Sequence, residues 1–409
     1  MSRSSDPAGS PGPYTPGVPV EKLAAALEPR REELEGSLRQ MVDIDSGSFT
    51  PEGVNRIADL CQAAMVGGGW DVERRPNEPP PGKPQLGDLL IGTLEGPGGP
   101  RILLIGHTDT VFAEGTAAER PFRTEEGRGF GPGCSDMKGG LLAGFLAVEA
   151  LREVGEGGFG TITYVCNPDE EIGSPFSGPA IKELATRADA ALVLEAARAN
   201  GDVVSARKGV SDARIDITGR AAHAGVEPEK GRSAVMEAVH KARALDALNG
   251  RWPDVTVNVG VIEGGTRPNV VADRCRLEVD VRAATPEALA EAEAAVQEIA
   301  RTHVVPDVTV DLVSRSWHMP MQPSPGSRRL AGLARDLAGH LGIPPPADVS
   351  SGGASDGNTV SAAGVPTLDG LGLIGGGWHG PDEWVDLASA PMRMALLSGL
   401  IARAGSVLG

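Results

Sequence analysis

The chain has 409 residues, 40% of them hydrophobic and 56 of them glycine, which is enough apolar material for two or three domains and too much for a disordered or disulfide-stapled chain. With Lys+Arg 38 against Asp+Glu 55 the formal net charge is -17, which excludes generic nucleic-acid binding and attraction to an anionic membrane. Cys61, Cys134, Cys166 and Cys275 are far apart and form no CxxC pair, so a reducing, cytoplasmic setting is expected rather than a disulfide framework or a thiolate metal site.

The N-terminal stretch, rich in Pro, Gly and Ser, lacks the apolar core of an export signal, and residues 1–20 read as a flexible tail. No run of 18 apolar residues occurs, so no membrane span is expected. Residues 20–44 show helical spacing, as do 54–65. Short apolar runs at 88–94 and 101–106 are strand signals. A helix at 137–151 and strands at 160–165 and 189–194 continue a βα alternation, which favours a mixed central sheet flanked by helices. The pattern then changes. Strand-like alternation at 211–218, a helix at 233–248, alternation at 255–262 and 274–281, a helix from Pro286 and a last strand at 308–313 make one β-α-β-β-α-β module. The expected organisation is therefore an outer domain of 1–205 and 316–409 with an insert at 206–315.

Acids and imidazoles collect just after strands, where open α/β sheets bind ligands. His107 and Asp109 follow RILLIG, Asp136 sits in GPGCSDMKGG, Glu170 and Glu171 follow TITYVCNP, Glu195 follows ALVL, and His379 lies in GGGWHGPDE. Two imidazoles with three carboxylates and no thiolate suit zinc, cobalt or manganese, and five ligand residues fit two ions sharing a bridging carboxylate better than one tetrahedral ion. In the Glu170–Glu171 pair one side chain can ligate while its neighbour takes a proton from water. Asp109 is placed to accept the second N–H of His107 and fix its tautomer. His240, His303 and His340 read as structural or surface residues, Cys134 as a small buried packer, and GEGGFG at 155–160 as a plain loop without the lysine of a phosphate-binding loop.

The motifs GHTDTVF, GPGCSDMKGG, DEEIGS and WHGPDE, with their spacing and the inserted module, resemble the M20 metallopeptidases, di-zinc amidohydrolases that include glutamate carboxypeptidase, acetylornithine deacetylase, succinyl-diaminopimelate desuccinylase and peptidase T. The resemblance runs from about residue 25 onward. It implies a zinc-exopeptidase-like catalytic domain with an inserted ferredoxin-like lid and dimerisation domain, and two zinc ions per subunit. His107 and Glu195 would bind one ion, Glu171 and His379 the other, and Asp136 would bridge them. Glu170 would be the general base acting on zinc-activated water, and the Asp136–Met137 peptide would be cis.

Three further stretches, DITGRAAHAGVEPEKG, PNVVADRCRLEVDVRA and GLGLIGGGWHGPDEWVD, look most like the glutamate carboxypeptidase branch. By that resemblance His223 would stabilise the oxyanion, Arg282 would pair with the substrate's terminal carboxylate, Asn269 would bond nearby, Lys208 would add positive charge, and Gly353, Ser355 and Asp356 would line the substrate. SGGASDGN at 351–358 departs from the GGTDA-like segment of several relatives. The expected activity is release of a C-terminal amino acid, glutamate by this resemblance, from N-acyl amino acids or short peptides by a homodimer. The alternative is an N-acyl amino-acid deacylase resembling acetylornithine deacetylase or succinyl-diaminopimelate desuccinylase.

Overall fold

Strand runs alternate between two apolar faces, and that alternation sets the layering of the first unit. In the computed structural model, which describes residues 17–408, neighbouring positions of the central strands enter different cores. Leu90, Leu94, Ile102, Leu104, Ile162, Tyr164 and Leu192 face one core, while Leu89, Ile91, Leu103, Ile105, Val165 and Ala191 face the other. The sheet has six strands in the spatial order Asp71–Arg75, Leu89–Glu95, Thr161–Asn167, Arg101–His107, Ala190–Val193 and Thr367–Leu368. The first two pairings are antiparallel and the rest parallel. It is a mixed α/β fold, as the sequence pattern predicts.

Helices Gly139–Glu153 and Ala390–Arg403 contribute to the larger core, and Gly178–Ala185 and Asp356–Ala362 to the smaller. Gly139–Glu153 is buried nearly all round, so it reads as a core helix rather than an amphipathic one. Its glycine start is forced by close approach, because a Cβ at Gly140 would stand 2.1 Å from the carbonyl oxygen of Leu194. That contact brings the segment carrying Asp136 beside the strand end carrying Glu195. Each fully buried leucine of this helix contributes about 2 kcal/mol of apolar burial.

Two local expectations change. The single helix expected over 20–44 is broken into Val20–Leu27 and Arg31–Val42 by a 3-10 turn at Glu28–Arg30, where Pro29 has no N–H to continue the ladder. Of the tail expected over 1–20, residues 1–16 lie outside the described residues. Val18 is tied down, its N–H donating to Glu156 at 2.6 Å, and Val20 begins a helix.

The chain divides into two units, the first running to Ser205 and resuming over Pro323–Val349 and Ser355–Gly409, the second comprising Ala206–Gln322 with Ser350–Ala354. The second unit has a four-stranded, wholly antiparallel sheet in the order Thr256–Gly264, Arg274–Ala283, Gly209–Thr218, Thr309–His318. Helices Ala234–Asp246 and Pro286–Arg301 share a separate core with one face of it. In that core Lys241 is buried and donates to the carbonyls of Ile299, Ala300 and Thr302, capping the C-terminus of the second helix. Its charge is matched by buried Glu237 at 3.0 Å.

Candidate metal centre

Five segments of the first unit deliver acids and imidazoles to one place, most of them just beyond strand ends. His107 closes the strand Arg101–His107, Asp136 precedes the helix Gly139–Glu153, Glu170 and Glu171 form a short turn after Thr161–Asn167, Glu195 follows Ala190–Val193, and His379 lies in the loop before Trp384–Asp386. The Nε2 of His107 is 3.2 Å from Oδ1 of Asp136 and 3.7 Å from Oε1 of Glu195. The Nε2 of His379 is 3.3 Å from Oδ2 of the same aspartate and 3.4 Å from Oε2 of Glu171. The two oxygens of Asp136 thus serve one imidazole each, and two donor groups overlap at this residue. Donor atoms of His107, Glu170 and Glu195 lie within 4.8 Å of one another, as do those of His107, Asp136 and Glu171. The Asp136–Met137 peptide is cis.

The charge distribution indicates what the centre is built to hold. Asp136, Glu170, Glu171 and Glu195 bring four carboxylates against two imidazoles. Burial pushes the Glu170 carboxyl well up, with His107 opposing and Glu195 and Glu171 adding to the rise. Burial also raises Glu171, despite its bond to His379. His379 is pushed up to about 10 by its bonds to Asp136 and Glu171. Protonating both imidazoles would still leave the group net negative, and divalent cations would relieve both the charge and its desolvation. Oxygen and imidazole donors in two overlapping sets fit a pair of such ions.

The tautomer of His107 agrees with this. Its Nδ1 is 3.0 Å from the backbone carbonyl of Asp109 and must donate there, so Nε2 is the nitrogen that faces the acids and would be the one to take an ion. The main-chain carbonyl of Asp109 is the nearer partner, and its carboxylate stands 3.4 Å from the same nitrogen. The carboxylate has another task. One oxygen accepts the N–H of Glu170 and the other accepts the N–H of Glu171 and the hydroxyl of Ser48, so Asp109 fixes the turn that presents both glutamates.

Glu383 ends the WHGPDE motif, and no local pattern there shows its role. It is buried, and its carboxylate accepts the N–H groups of Gly133, Ser135 and Asp136 at 2.8–2.9 Å. Burial pushes it up to about 7 although those three amides oppose the shift. Trp378 adds a second tie, its indole N–H donating to Ser135 at 3.1 Å. His379 itself has φ of 61°, a left-handed conformation that costs a non-glycine residue about 1 kcal/mol or more and is held by the surrounding turn. The turn closes through a Gly380 N–H to the carbonyl of Gly377, and Arg120 donates to the carbonyl of Gly380.

The remaining expected residues fall elsewhere. His223 and Asn269 are neighbours in the second unit, where Ala224 N–H donates to the Asn269 carbonyl and both side chains are exposed. Arg282 bonds Asp280 and the Gly352 carbonyl, and Gly353 receives Arg207. Lys208 donates its backbone N–H to Ser351. Ser355 does not match the substrate-lining expectation. It is buried in the first unit, its hydroxyl donates to Asp369 and accepts from Gly357, and it caps the helix Asp356–Ala362. Asp356 is likewise buried, accepting from Asn167 and Ser174 behind the Glu170 turn.

Fold and site together define a metal-dependent hydrolase acting on amino-acid or peptide substrates. The chain belongs to peptidase family M20/M25/M40, which it matches over residues 103–403. It is 30% identical over 376 residues to carboxypeptidase G2 of Pseudomonas sp. (strain RS-16), an alignment covering 90% of this chain and 89% of that relative. Acetylornithine deacetylase of Myxococcus xanthus is 28% identical over 264 residues, 61% of this chain and 66% of the relative. The fold is also similar to that of aminopeptidase PepT from Bacillus cereus ATCC 10987, with TM-score 0.76, 24% identity and coverage of 91% and 98%. Among the described residues no helix is long and apolar enough to cross a membrane.

Proposed function

We propose that the chain is a di-zinc carboxypeptidase that releases a C-terminal amino acid, glutamate in the first instance, from N-acyl amino acids or short peptides. The observation that carries this reading is the sharing of Asp136 between two imidazole–carboxylate sets with Glu170 beside them. His107 and Glu195 would hold one ion, Glu171 and His379 the other, and Asp136 both. Two zinc ions, when bound, supply positive charge that acidifies water and polarises a carbonyl.

The chain's own groups supply the rest. Glu170 takes a proton from the attacking water and returns it to the departing amine nitrogen, so one carboxylate serves both transfers and ends as it began. Asp109 keeps Glu170 aimed by holding its backbone N–H. We assign oxyanion contact to His223 and Asn269, and recognition of the terminal carboxylate to Arg282 with Lys208 and Gly353 nearby in sequence or space. Arg282 would exchange its bonds to Asp280 for a bidentate grip on the substrate. The β-α-β-β-α-β order and the unmixed antiparallel sheet support reading the second unit as a ferredoxin-like lid that also forms a homodimer. Four free, buried cysteines support a reducing, cytoplasmic setting.

Mass-spectrometric product analysis on N-acyl-glutamates, dipeptides and acetyl- or succinyl-amines, with zinc and with chelator, tests the reading. Chelator-sensitive release of glutamate is expected. Turnover confined to acetyl- or succinyl-amines would instead select an N-acyl amino-acid deacylase, a second reading favoured by the similarity to acetylornithine deacetylase.

A further inference from the structure

Glu170 and Glu171 sit in a tight turn whose own backbone closes it with two bonds, Gly173 N–H to the Glu170 carbonyl at 2.7 Å and Ser174 N–H to that of Asp169 at 2.9 Å. Ser174 ends it with φ of 53°, a left-handed conformation that is unfavourable for a serine and has to be held by its surroundings. The holding groups are three buried carboxylates. Asp109 accepts the N–H groups of Glu170 and Glu171. Asp169 accepts the N–H groups of Phe176 and Ser177 and the Ser177 hydroxyl, which anchors the turn to the helix Gly178–Ala185. The third, Asp356, lies 182 residues beyond Ser174 and has no place in the proposed proton transfers.

Asp356 grips the turn at both ends. Its two oxygens accept the Ser174 hydroxyl at 2.6 Å and the Asn167 amide at 2.5 Å. Asn167 closes the strand Thr161–Asn167 just before the glutamates, and Ser174 follows just after them. The same Asn167 amide donates to Ser174 Oγ at 2.9 Å, and the Asn167 side-chain oxygen accepts the Asp169 N–H at 3.0 Å. Asn167, Ser174 and Asp356 thus form one buried network round the base of the turn. Asp356 is itself fixed, because it opens the helix Asp356–Ala362 directly after the cap Ser355, whose hydroxyl donates to Asp369.

Its burial decides what it can do. The resemblance implies that Asp356 lines the substrate, but the residue is only 2% exposed and both its oxygens face the turn. Burying a carboxylate is costly, and a turn that only had to close could do so with neutral side chains. What a carboxylate provides is two strong acceptors on one rigid plane, which tie Asn167 and Ser174 to each other and to a fixed helix. We propose that Asp356 is a positioning residue for Glu170. Through Ser174 and Asn167 it fixes the direction in which the turn presents the Glu170 carboxylate. It governs the rate of proton transfer rather than substrate affinity or metal content. The inference rests on the proposed role of Glu170 as general base.

The test compares Asp356→Asn, Asp356→Ala, Ser174→Ala and Glu170→Gln with wild type, all zinc-loaded, on N-acetylglutamate and N-acetylornithine. Misplacing a reacting group by about 1 Å can slow a reaction about a hundredfold. On that scale kcat should fall about a hundredfold in Asp356→Ala and about tenfold in Asp356→Asn, which retains one acceptor oxygen. KM should stay within about twofold, the mark of an interaction that matters only in the transition state, and zinc content should not change. Ser174→Ala should lower kcat in the same way and add little to Asp356→Ala, since both remove the same bond. Amide exchange at Glu171 and Gly173 should speed up by about tenfold or more in these three variants, with the helix Gly139–Glu153 unaffected. Raised KM at unchanged kcat would make Asp356 a substrate contact, and zinc loss would make it a support of the ions. Either result overturns the proposal, as does wild-type kcat in a folded Asp356→Asn protein beside a slow Glu170→Gln. If Glu170→Gln is as fast as wild type, or neither compound is hydrolysed, the functional reading fails on its own and exchange decides. Faster exchange at Gly173 then supports the hold of Asp356 on the turn, and unchanged exchange overturns it. Should Asp356→Ala not fold, Asp356→Asn and Ser174→Ala carry the comparison.

Discussion

Glu383 accepts the backbone N–H of Asp136 at 2.9 Å, so the loop that carries His379 also fixes the residue shared by both halves of the centre. Removing the carboxylate leaves three buried amide donors at Gly133, Ser135 and Asp136 without an acceptor. Glu383→Ala is expected to weaken zinc binding by about 10–100-fold, measured by chelator competition, with Glu383→Gln in between because its amide retains one acceptor oxygen. Zinc affinity equal to wild type in a folded Glu383→Ala protein would remove the positioning role.

Metal removal should lower stability as well as activity. The donor carboxylates are crowded and desolvated without ions, and a ligand that binds only the folded chain stabilises it by mass action. Zinc at a hundred times its Kd should add about 2.7 kcal/mol, raising Tm by roughly 3 °C in calorimetry, and excess chelator should reverse the rise.

Glu170→Gln should separate proton transfer from metal holding. The amide keeps the shape of the side chain and cannot accept the proton, so kcat should fall by about a hundredfold or more. Zinc content should stay at two per chain by elemental analysis. Loss of one ion in this variant would make Glu170 a ligand, an arrangement that its proximity to His107 and Glu195 also permits.

The second unit offers a pH test away from the centre. Burial raises the Glu237 carboxyl, but the N–H groups of Val305 and Val304 and the Lys241 ammonium outweigh it and hold the group below its ordinary 4.5. A depressed folded value means that the stabilisation is complete above 4.5 and is lost as pH falls through the lowered value. His303, 3.8 Å from the same carboxylate, would reinforce it when protonated. Glu237→Gln should cost about 3 kcal/mol at pH 7 by stranding buried Lys241, and the gap to wild type in urea denaturation should shrink as the pH falls below that of the carboxyl.

The gathering of these acids and imidazoles was legible because strand ends and Gly-rich loops are short-range patterns. RILLIG before His107 and ALVL before Glu195 announce both the strand and the position just past it. What holds those donors was not legible, since Glu383 and Asp136 are joined across 247 residues and no local spacing encodes that bond. The same limit explains Ser355, whose hydroxyl is committed to Asp369 fourteen residues on. The Asp109 carboxylate stands 3.4 Å from the His107 Nδ1, close to where it was expected, but its bonds to the N–H groups of Glu170 and Glu171 cross 61 and 62 residues and were not legible. The break at Glu28–Arg30 needed only Pro29 to be weighed against an otherwise continuous helical pattern.

The tie between the loops of Asp136 and His379 has a consequence for biosynthesis. His379 and Glu383 follow the whole stretch 206–322 in sequence, so the second unit is translated before either residue exists. A nascent chain therefore carries His107, Asp136, Glu170, Glu171 and Glu195 as an unfinished acidic cluster, with neither its second imidazole nor the carboxylate that fixes Asp136. The full set of acids and imidazoles can therefore assemble only after the segment carrying His379 and Glu383 has been made.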